Sequence, residues 1–252
     1  MKTLFIDCSP KKRLSASGFI ATMTGIFVFG KKKKLKLRTR ADHENILNEI
    51  RDADNVVFAM PLYVDGVPSH VLPFLKEMEE FCKDNDIKIN VYVIANNGFI
   101  EGKQNEPLMQ IMENFCIRSN ITWCGGLGIG GGVMMNVMRI MIVVVFALTV
   151  LNLITTAINQ GVFDTGAAVG FAKDVAEILV LGCGIIIFDI WLATCINKRK
   201  GFGKHYTRIM LPSFLFILAA DIFFIIISLF KGGVFRGWFS RKKPGEQICV
   251  QE

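Results

Sequence analysis

Short apolar runs alternate with amphipathic ones through the first half of the chain. Residues 2–7 and 55–60 read as buried strands, the second carrying Val56-Val57-Phe58-Ala59-Met60 and stopped by Pro61. Residues 87–95 and 121–126 read the same way, and 35–38 as a shorter strand behind the run Lys31–Lys34. Between them the 3.6-residue period appears at 15–29, closed by Gly30. It appears again at 42–51 with Ile46, Leu47 and Ile50 on one face, and at 71–83 with Leu72, Leu75, Met78 and Cys82 facing inward. The last such stretch is 106–119, with Pro107 in its first turn. Five strands alternating with helices predict an α/β domain whose parallel sheet is covered on both faces. Ligands of such sheets bind beyond the carboxyl ends of the strands, where the strand order reverses.

The second half follows another rule. Residues 140–158 hold no formal charge, 178–196 hold only Asp189, and 209–230 hold only Asp221, with Pro212 near the start. A spanning helix needs about 20 apolar residues. The expected organisation is therefore a soluble domain over 1–132, a membrane region over 133–240 with candidate spans 138–158, 176–197 and 209–230, and a basic polar tail over 241–252. Three full spans are the simplest reading by length. Two spans with a re-entrant third segment fit the charges better, and the polar breaks at Pro212 and Asp221 allow it. Carboxylates inside apolar runs mark proton or ligand sites, or helix contacts made by a protonated acid; Asp189 and Asp221 are open to both readings.

Composition sharpens this division. The 252 residues have a mean hydropathy of +0.42, but 17 Lys/Arg and 15 Asp/Glu fall in 1–132 against 12 and 7 in 133–252. A wholly soluble enzyme, a disordered chain and a disulfide-stapled secreted module are excluded. The net charge of +7 resides mainly in loops of the apolar half, where basic residues mark the cytoplasmic membrane face. That places the protein in the cell membrane as a multi-pass chain, its soluble domain in the cytoplasm, with membrane lipid rather than nucleic acid as its partner. Seven cysteines without a CxxC pair, and three scattered histidines, predict neither a metal site nor a disulfide framework.

The candidate chemistry lies in the loops. After the first strand, Ser9-Pro10-Lys11-Lys12-Arg13-Leu14-Ser15-Ala16-Ser17 gathers hydroxyls and cations at a helix start. That combination suits a phosphate, or serves as an N-cap in a solvated basic turn. After the third, Met60-Pro61-Leu62-Tyr63-Val64-Asp65-Gly66 forms a rigid apolar ledge beside an aromatic ring, fit for a flat ligand. After the fourth, Asn96-Asn97-Gly98-Phe99-Ile100-Glu101 offers amides and another ring. The run Gly126-Leu127-Gly128-Ile129-Gly130-Gly131 satisfies GxGxxG but lacks the acidic residue about 20 positions on that a ribose requires. A close-packed turn or a junction to the membrane is the better reading of it.

In order and spacing, these loops make residues 1–132 resemble flavodoxin-like NAD(P)H:FMN oxidoreductases. The resemblance implies a five-stranded flavodoxin-like sheet, FMN as cofactor, NAD(P)H as electron donor, a small or quinone-like acceptor, and a homodimer, as family members commonly form. It assigns the FMN phosphate to Ser9, Pro10, Lys11, Ser15 and Ser17, and the isoalloxazine to Pro61, Leu62, Tyr63 and Val64. Asn97, Gly98, Phe99 and Glu101 match the family's loop after the fourth strand. No catalytic acid or base is implied. Relatives with an iron–sulfur cluster carry cysteines where this chain has Arg38-Thr39-Arg40-Ala41-Asp42-His43, so no cluster is expected. Asp65 departs from the small or aromatic residue of many relatives. The expected function is a membrane-anchored FMN oxidoreductase; the alternative is a flavodoxin-derived membrane binding or sensor module with little turnover. If residue 133 onward enters the bilayer directly, the flavin edge faces the membrane and Lys31–Lys34 point away from it. If 133–158 folds back as the family's last helix, those lysines approach anionic headgroups.

Overall fold

The computed structural model describes residues 1–11, 15–160 and 165–230. These fall in two units, Met1–Met210 and Leu211–Glu252. The first unit is built on β1 (Lys2–Asp7), β2 (Lys31–Lys36), β3 (Asn55–Pro61), β4 (Asn90–Asn96), β5 (Thr122–Gly130) and β6 (Gly203–Arg208). Among the described residues these form one sheet of order β2-β1-β3-β4-β5-β6, every neighbouring pair parallel. The order 2-1-3-4-5 is that of the flavodoxin-like doubly wound fold, with its reversal between β1 and β3. β1, β3 and β4 are buried almost throughout, as a sheet covered on both faces requires.

Helices α2 (His43–Arg51), α3 (Val71–Asp84) and α4 (Glu106–Arg118) cover one face. There Leu4, Ile6, Ile46, Val56, Phe74, Met78, Val93 and Met112 share one apolar core. On the other face lies α1 (Ala16–Phe27), capped by the Ser15 hydroxyl, which accepts the Gly18 N–H at 2.9 Å.

The sequence places a strand at 35–38, but the ladder runs from Lys2↔Lys31 to Asp7↔Lys36, so the lysine run itself is β2. An edge strand is held by its backbone ladder, and its lysines discourage a further strand from adding. The sheet has six strands rather than the expected five. The sixth, β6, comes from between two runs assigned to the membrane. β5 also extends four residues beyond its expected end, so the Gly-rich run is strand, not turn. A Cβ at Gly128 would lie 2.6 Å from the Tyr206 ring of β6; glycine lets the two strands approach.

From β5 the chain enters α5 (Gly132–Gln160), then α6 (Thr165–Leu181) and α7 (Cys183–Lys198). Residues Met134–Ile158 of α5 form one helix apolar and long enough to cross a membrane, with none of its apolar window buried. At about 37 Å it exceeds the hydrocarbon thickness of about 30 Å. α6 packs beside α5, with Phe171 and Phe146 ring centroids 5.8 Å apart.

The candidate span 176–197 is not one straight helix: the segments on either side of Gly182 bend by 68°. Its second segment, α7, covers the sheet next to α1, burying Ile185, Asp189, Leu192, Ala193 and Ile196. Asn197 Nδ2 donates to the Phe27 carbonyl at 2.9 Å, and its Oδ1 accepts the Phe29 N–H at 2.8 Å. Beneath the end of α7, the buried Tyr92 hydroxyl donates to the Lys200 carbonyl at 2.9 Å. Burial drives this phenol far above its ordinary range, so it stays a donor. Tyr92→Phe is expected to lower stability by about 1 kcal/mol, measured by urea unfolding, because it orphans that carbonyl.

The second unit contains α8 (Ser213–Phe230), apolar and 18 residues long. At about 27 Å it falls slightly short of the hydrocarbon thickness. Its Asp221 is exposed. The expected tail 241–252 lies outside the described residues.

Candidate functional site

At the carboxyl ends of β1, β3 and β4, a cleft of about 200 Å³ opens at the point where the strand order reverses. Backbone bonds set its shape. The Leu62 N–H donates to the Asn96 carbonyl at 2.8 Å, the Asn97 N–H to Ile129 at 3.0 Å, and the Gly132 N–H to Asn97 at 2.8 Å. The Ser17 hydroxyl of α1 donates to Asn96 Oδ1 at 2.6 Å, joining the first loop to the fourth-strand loop.

Eight of the thirteen residues singled out from the sequence line this cleft: Ser9, Lys11, Ser17, Pro61, Leu62, Tyr63, Asn97 and Gly98. Five do not, the exposed Pro10 and Glu101 among them. Ser15 caps α1 and donates to Asp7 Oδ1 at 3.2 Å, so its hydroxyl is committed to the helix start. Val64 is fully exposed at φ 46°, at the tip of a turn closed by mutual backbone bonds between Tyr63 and Gly66. Phe99 is 62% exposed and outside the lining. Lys12, Arg13 and Leu14 lie outside the described residues.

The sequence reading missed Ala16, Asn96 and Asn136 as lining residues. Asn96 adjoins a residue already chosen. Asn136 lies at the start of the long apolar helix α5, where no pattern marks a ligand contact; only the departure of α5 directly from β5 brings it to the cleft.

The lining has two chemistries. Lys11 and the buried Ser9 and Ser17 hydroxyls gather at the start of α1, the electropositive end of a helix. Pro61, Leu62 and half-exposed Tyr63 form an apolar ledge opposite the Asn97 loop. Asn97 donates through Nδ2 to the Glu101 carbonyl at 2.9 Å, while its buried Oδ1 has no partner. An orphaned buried acceptor in a cleft wall calls for a ligand N–H or a water. One feature opposes tight phosphate binding: Asp7 Oδ1 already accepts the Ser9 N–H at 3.1 Å as well as the Ser15 hydroxyl.

No histidine lines the cleft. His43 Nδ1 is 2.7 Å from Glu77 Oε2, His70 Nε2 is 3.1 Å from the Cys8 carbonyl, and His205 stacks within 4.4 Å of the Trp191 ring. Among the described residues no group of three His, Cys, Asp or Glu side chains is placed to hold a metal. The six described cysteines are free thiols, and burial raises those of Cys82, Cys116 and Cys124.

No protein-family model and no curated protein sequence matches this chain. Several solved structures align with about half of it. The Trp repressor binding protein of Bacillus subtilis aligns at 18% identity over 51% of this chain and 84% of its own, with a TM-score of 0.44. The NAD(P)H:quinone oxidoreductase of Methanothermobacter marburgensis aligns at 15% identity over 55% and 92%, TM-score 0.44. An NADPH-quinone reductase from P. pentosaceus aligns at 15% over 52% and 86%, TM-score 0.43. At such scores and identities nothing about the chemistry of this chain follows from them; its flavodoxin-like order rests on its own strand pairing.

Proposed function

We propose that this chain is a flavin oxidoreductase that takes FMN in the cleft at the strand reversal. In this reading it accepts electrons from NAD(P)H and passes them to a small or quinone-like acceptor. The observation that carries the reading is the joint placement of a cationic hydroxyl-lined helix start, an apolar ledge and the unpartnered Asn97 Oδ1 around one cleft. Lys11 and Ser9 would hold the phosphate, while Ser17, whose proton goes to Asn96 Oδ1, ties the first loop to the fourth-strand loop beside it. Pro61, Leu62 and Tyr63 would lie along the ring and keep water from it, and Asn97 Oδ1 would accept a ring N–H. Bound FMN supplies the hydride and electron transfer, and the protein supplies orientation and electrostatics.

Membrane attachment through α5, with the sheet domain on the cytoplasmic side, is part of the same proposal. Asn136 of α5 lines the cleft, so an acceptor dissolved in the bilayer would meet the flavin at the foot of that helix. A binding or sensor module is the second reading. The capture of Ser9 and Ser15 by Asp7 favours it, because those donors are withdrawn from a phosphate.

The test is the visible spectrum of the full chain, purified in mild detergent, incubated with FMN and desalted. The oxidoreductase reading expects retained flavin absorbance, anaerobic bleaching by NADPH or NADH, and recovery on adding a soluble quinone. Retained colour that neither nucleotide bleaches supports the sensor reading. A colourless protein after saturation with FMN overturns the oxidoreductase reading.

A further inference from the structure

A second groove, of about 300 Å³, lies on the other side of α1 from the cleft and shares no lining residue with it. Its walls are the outer face of α1, the edge strand β2 and the start of α5. Four cations converge there: Lys34, Lys36, Arg38 and Arg139. Their partners in the protein are neutral. Lys34 Nζ donates to the Gly18 carbonyl and, at 2.6 Å, to the Thr22 hydroxyl. Arg38 Nε donates to the Ser9 carbonyl at 3.2 Å, and the Arg139 guanidinium lies 5.3 Å from the Phe19 ring centroid.

None of the four belongs to an ion pair among the described residues, whereas the neighbouring Lys33 and Lys2 both pair with Glu49. The one carboxylate in the wall is Asp7, buried and already bonded to Ser9 and Ser15. The groove thus sets four cations against one buried carboxylate, with hydroxyls and guanidinium groups set for an anion.

Its position decides which anion. Arg139 stands immediately before the 19 uncharged residues 140–158 of α5. Those residues span about 28 Å, close to the hydrocarbon thickness of about 30 Å. If α5 crosses a bilayer, Arg139 is therefore the last charge before the hydrocarbon, at headgroup depth, and it faces the groove.

We infer that the Lys34–Lys36–Arg38–Arg139 groove binds the phosphate of an anionic phospholipid in the leaflet that α5 enters. The inference rests on the membrane reading above and adds to it a lipid class and a site. Burial, with Lys36 adding, holds the Lys34 ammonium below its ordinary range, and Asp7 partly offsets this; a bound phosphate would act in the same direction as Asp7. The lysines that contact lipid are then Lys34 and Lys36, not the whole run from Lys31.

The experiment uses the full chain reconstituted in phosphatidylcholine vesicles, with and without phosphatidylglycerol. Amine acylation is read by mass spectrometry at Lys34 and Lys36, with exposed Lys88 as internal reference. The expected result is about fivefold protection of Lys36 relative to Lys88 that appears only with phosphatidylglycerol and disappears in Arg139→Gln. Arg139→Gln must still float with the vesicles, which shows that the helix has inserted and only the site is lost. Equal labelling in both vesicle types, with the chain floating in both, overturns the lipid site and leaves the membrane reading intact. Protection by NADPH in detergent without phospholipid overturns it in favour of a soluble phosphate. Failure of the wild-type chain to float removes the membrane reading and this inference together, whatever its flavin spectrum shows.

Discussion

Replacing Gly130 with alanine is expected to weaken FMN binding about a hundredfold, equivalent to about 3 kcal/mol, and to lower stability by roughly 2 kcal/mol. A Cβ there would lie 2.1 Å from the Ile100 carbonyl oxygen and 2.7 Å from the Gly102 nitrogen. Both are backbone atoms, so no rotamer change relieves the clash. The loop after β4 must move, and it cannot do so freely. It is fastened to β5 and the start of α5 by the Asn97, Gly131 and Gly132 amide bonds, of which Gly131 N–H to the Phe99 carbonyl is 2.5 Å. The displaced segment carries Asn97 and Gly98, both lining the cleft.

Gly170→Ala on α6 is the control, since a Cβ there meets nothing within 4 Å. The measurement is an FMN titration followed by quenching of flavin fluorescence, paired with urea unfolding. An alanine variant that binds FMN within a factor of about two of the parent would show that this loop does not carry the site.

The same glycines show what the sequence does and does not make visible. β1, β3, β4 and helices α2 to α4 are legible because each buries a local apolar pattern of the right period. The loops at their carboxyl ends follow, and with them eight lining residues of the cleft. The Gly-rich run of β5 reads as a turn because the reason for its glycines is non-local: the Tyr206 ring and the Ile100 carbonyl occupy the space their side chains would need.

β6 escapes and β2 is misplaced for a related reason. KKKKLK and GKHYTR bury little, and backbone pairing with β1 and β5 alone makes them strands. The run 176–197 reads as one span on composition alone, and the bend at Gly182 divides it. A helix packed between sheet and α1 on one side, with Ile187, Ile190 and Trp191 left exposed on the other, is apolar all round, as a spanning helix is. Ser15 was chosen by residue type, but its hydroxyl is bound to the helix start and Asp7.

Asp189 is the residue that most clearly separates the two readings of α7, and its charge state governs the second large effect. It is fully buried between α7 and α1, and Thr24 Oγ1 lies 2.5 Å from its Oδ1. The same hydroxyl is 3.0 Å from the Ile20 carbonyl. A hydroxyl has one proton, so both contacts are satisfied when Thr24 donates to Ile20 and a protonated Asp189 donates to Thr24. Burial raises the carboxyl to about 7, against a partial opposing pull from the Thr24 hydrogen bond.

The sign follows from linkage. Between the ordinary carboxylate range and about pH 7 the folded protein keeps a proton that the unfolded chain has lost, so stability falls as pH rises through that window and stays low above it. The full difference is about 4 kcal/mol. Asp189→Asn keeps the shape, donates through its amide to Thr24 and cannot ionise. It is expected to match the parent near pH 4, to exceed it by up to about 4 kcal/mol at pH 8, and to flatten the profile between. Thr24→Val takes a hydrogen-bond partner from both forms of Asp189, so it should destabilise at both pH values, and more at pH 8, where the buried carboxylate is left without a donor. Urea unfolding in mild detergent at both pH values checks all three proteins. Identical pH profiles for parent and Asp189→Asn would mean that Asp189 is solvated, and that α7 does not rest on α1. Because the first turn of α1 carries Ser17 into the cleft, the parent's flavin affinity should decline over the same pH window, and that of Asp189→Asn should not.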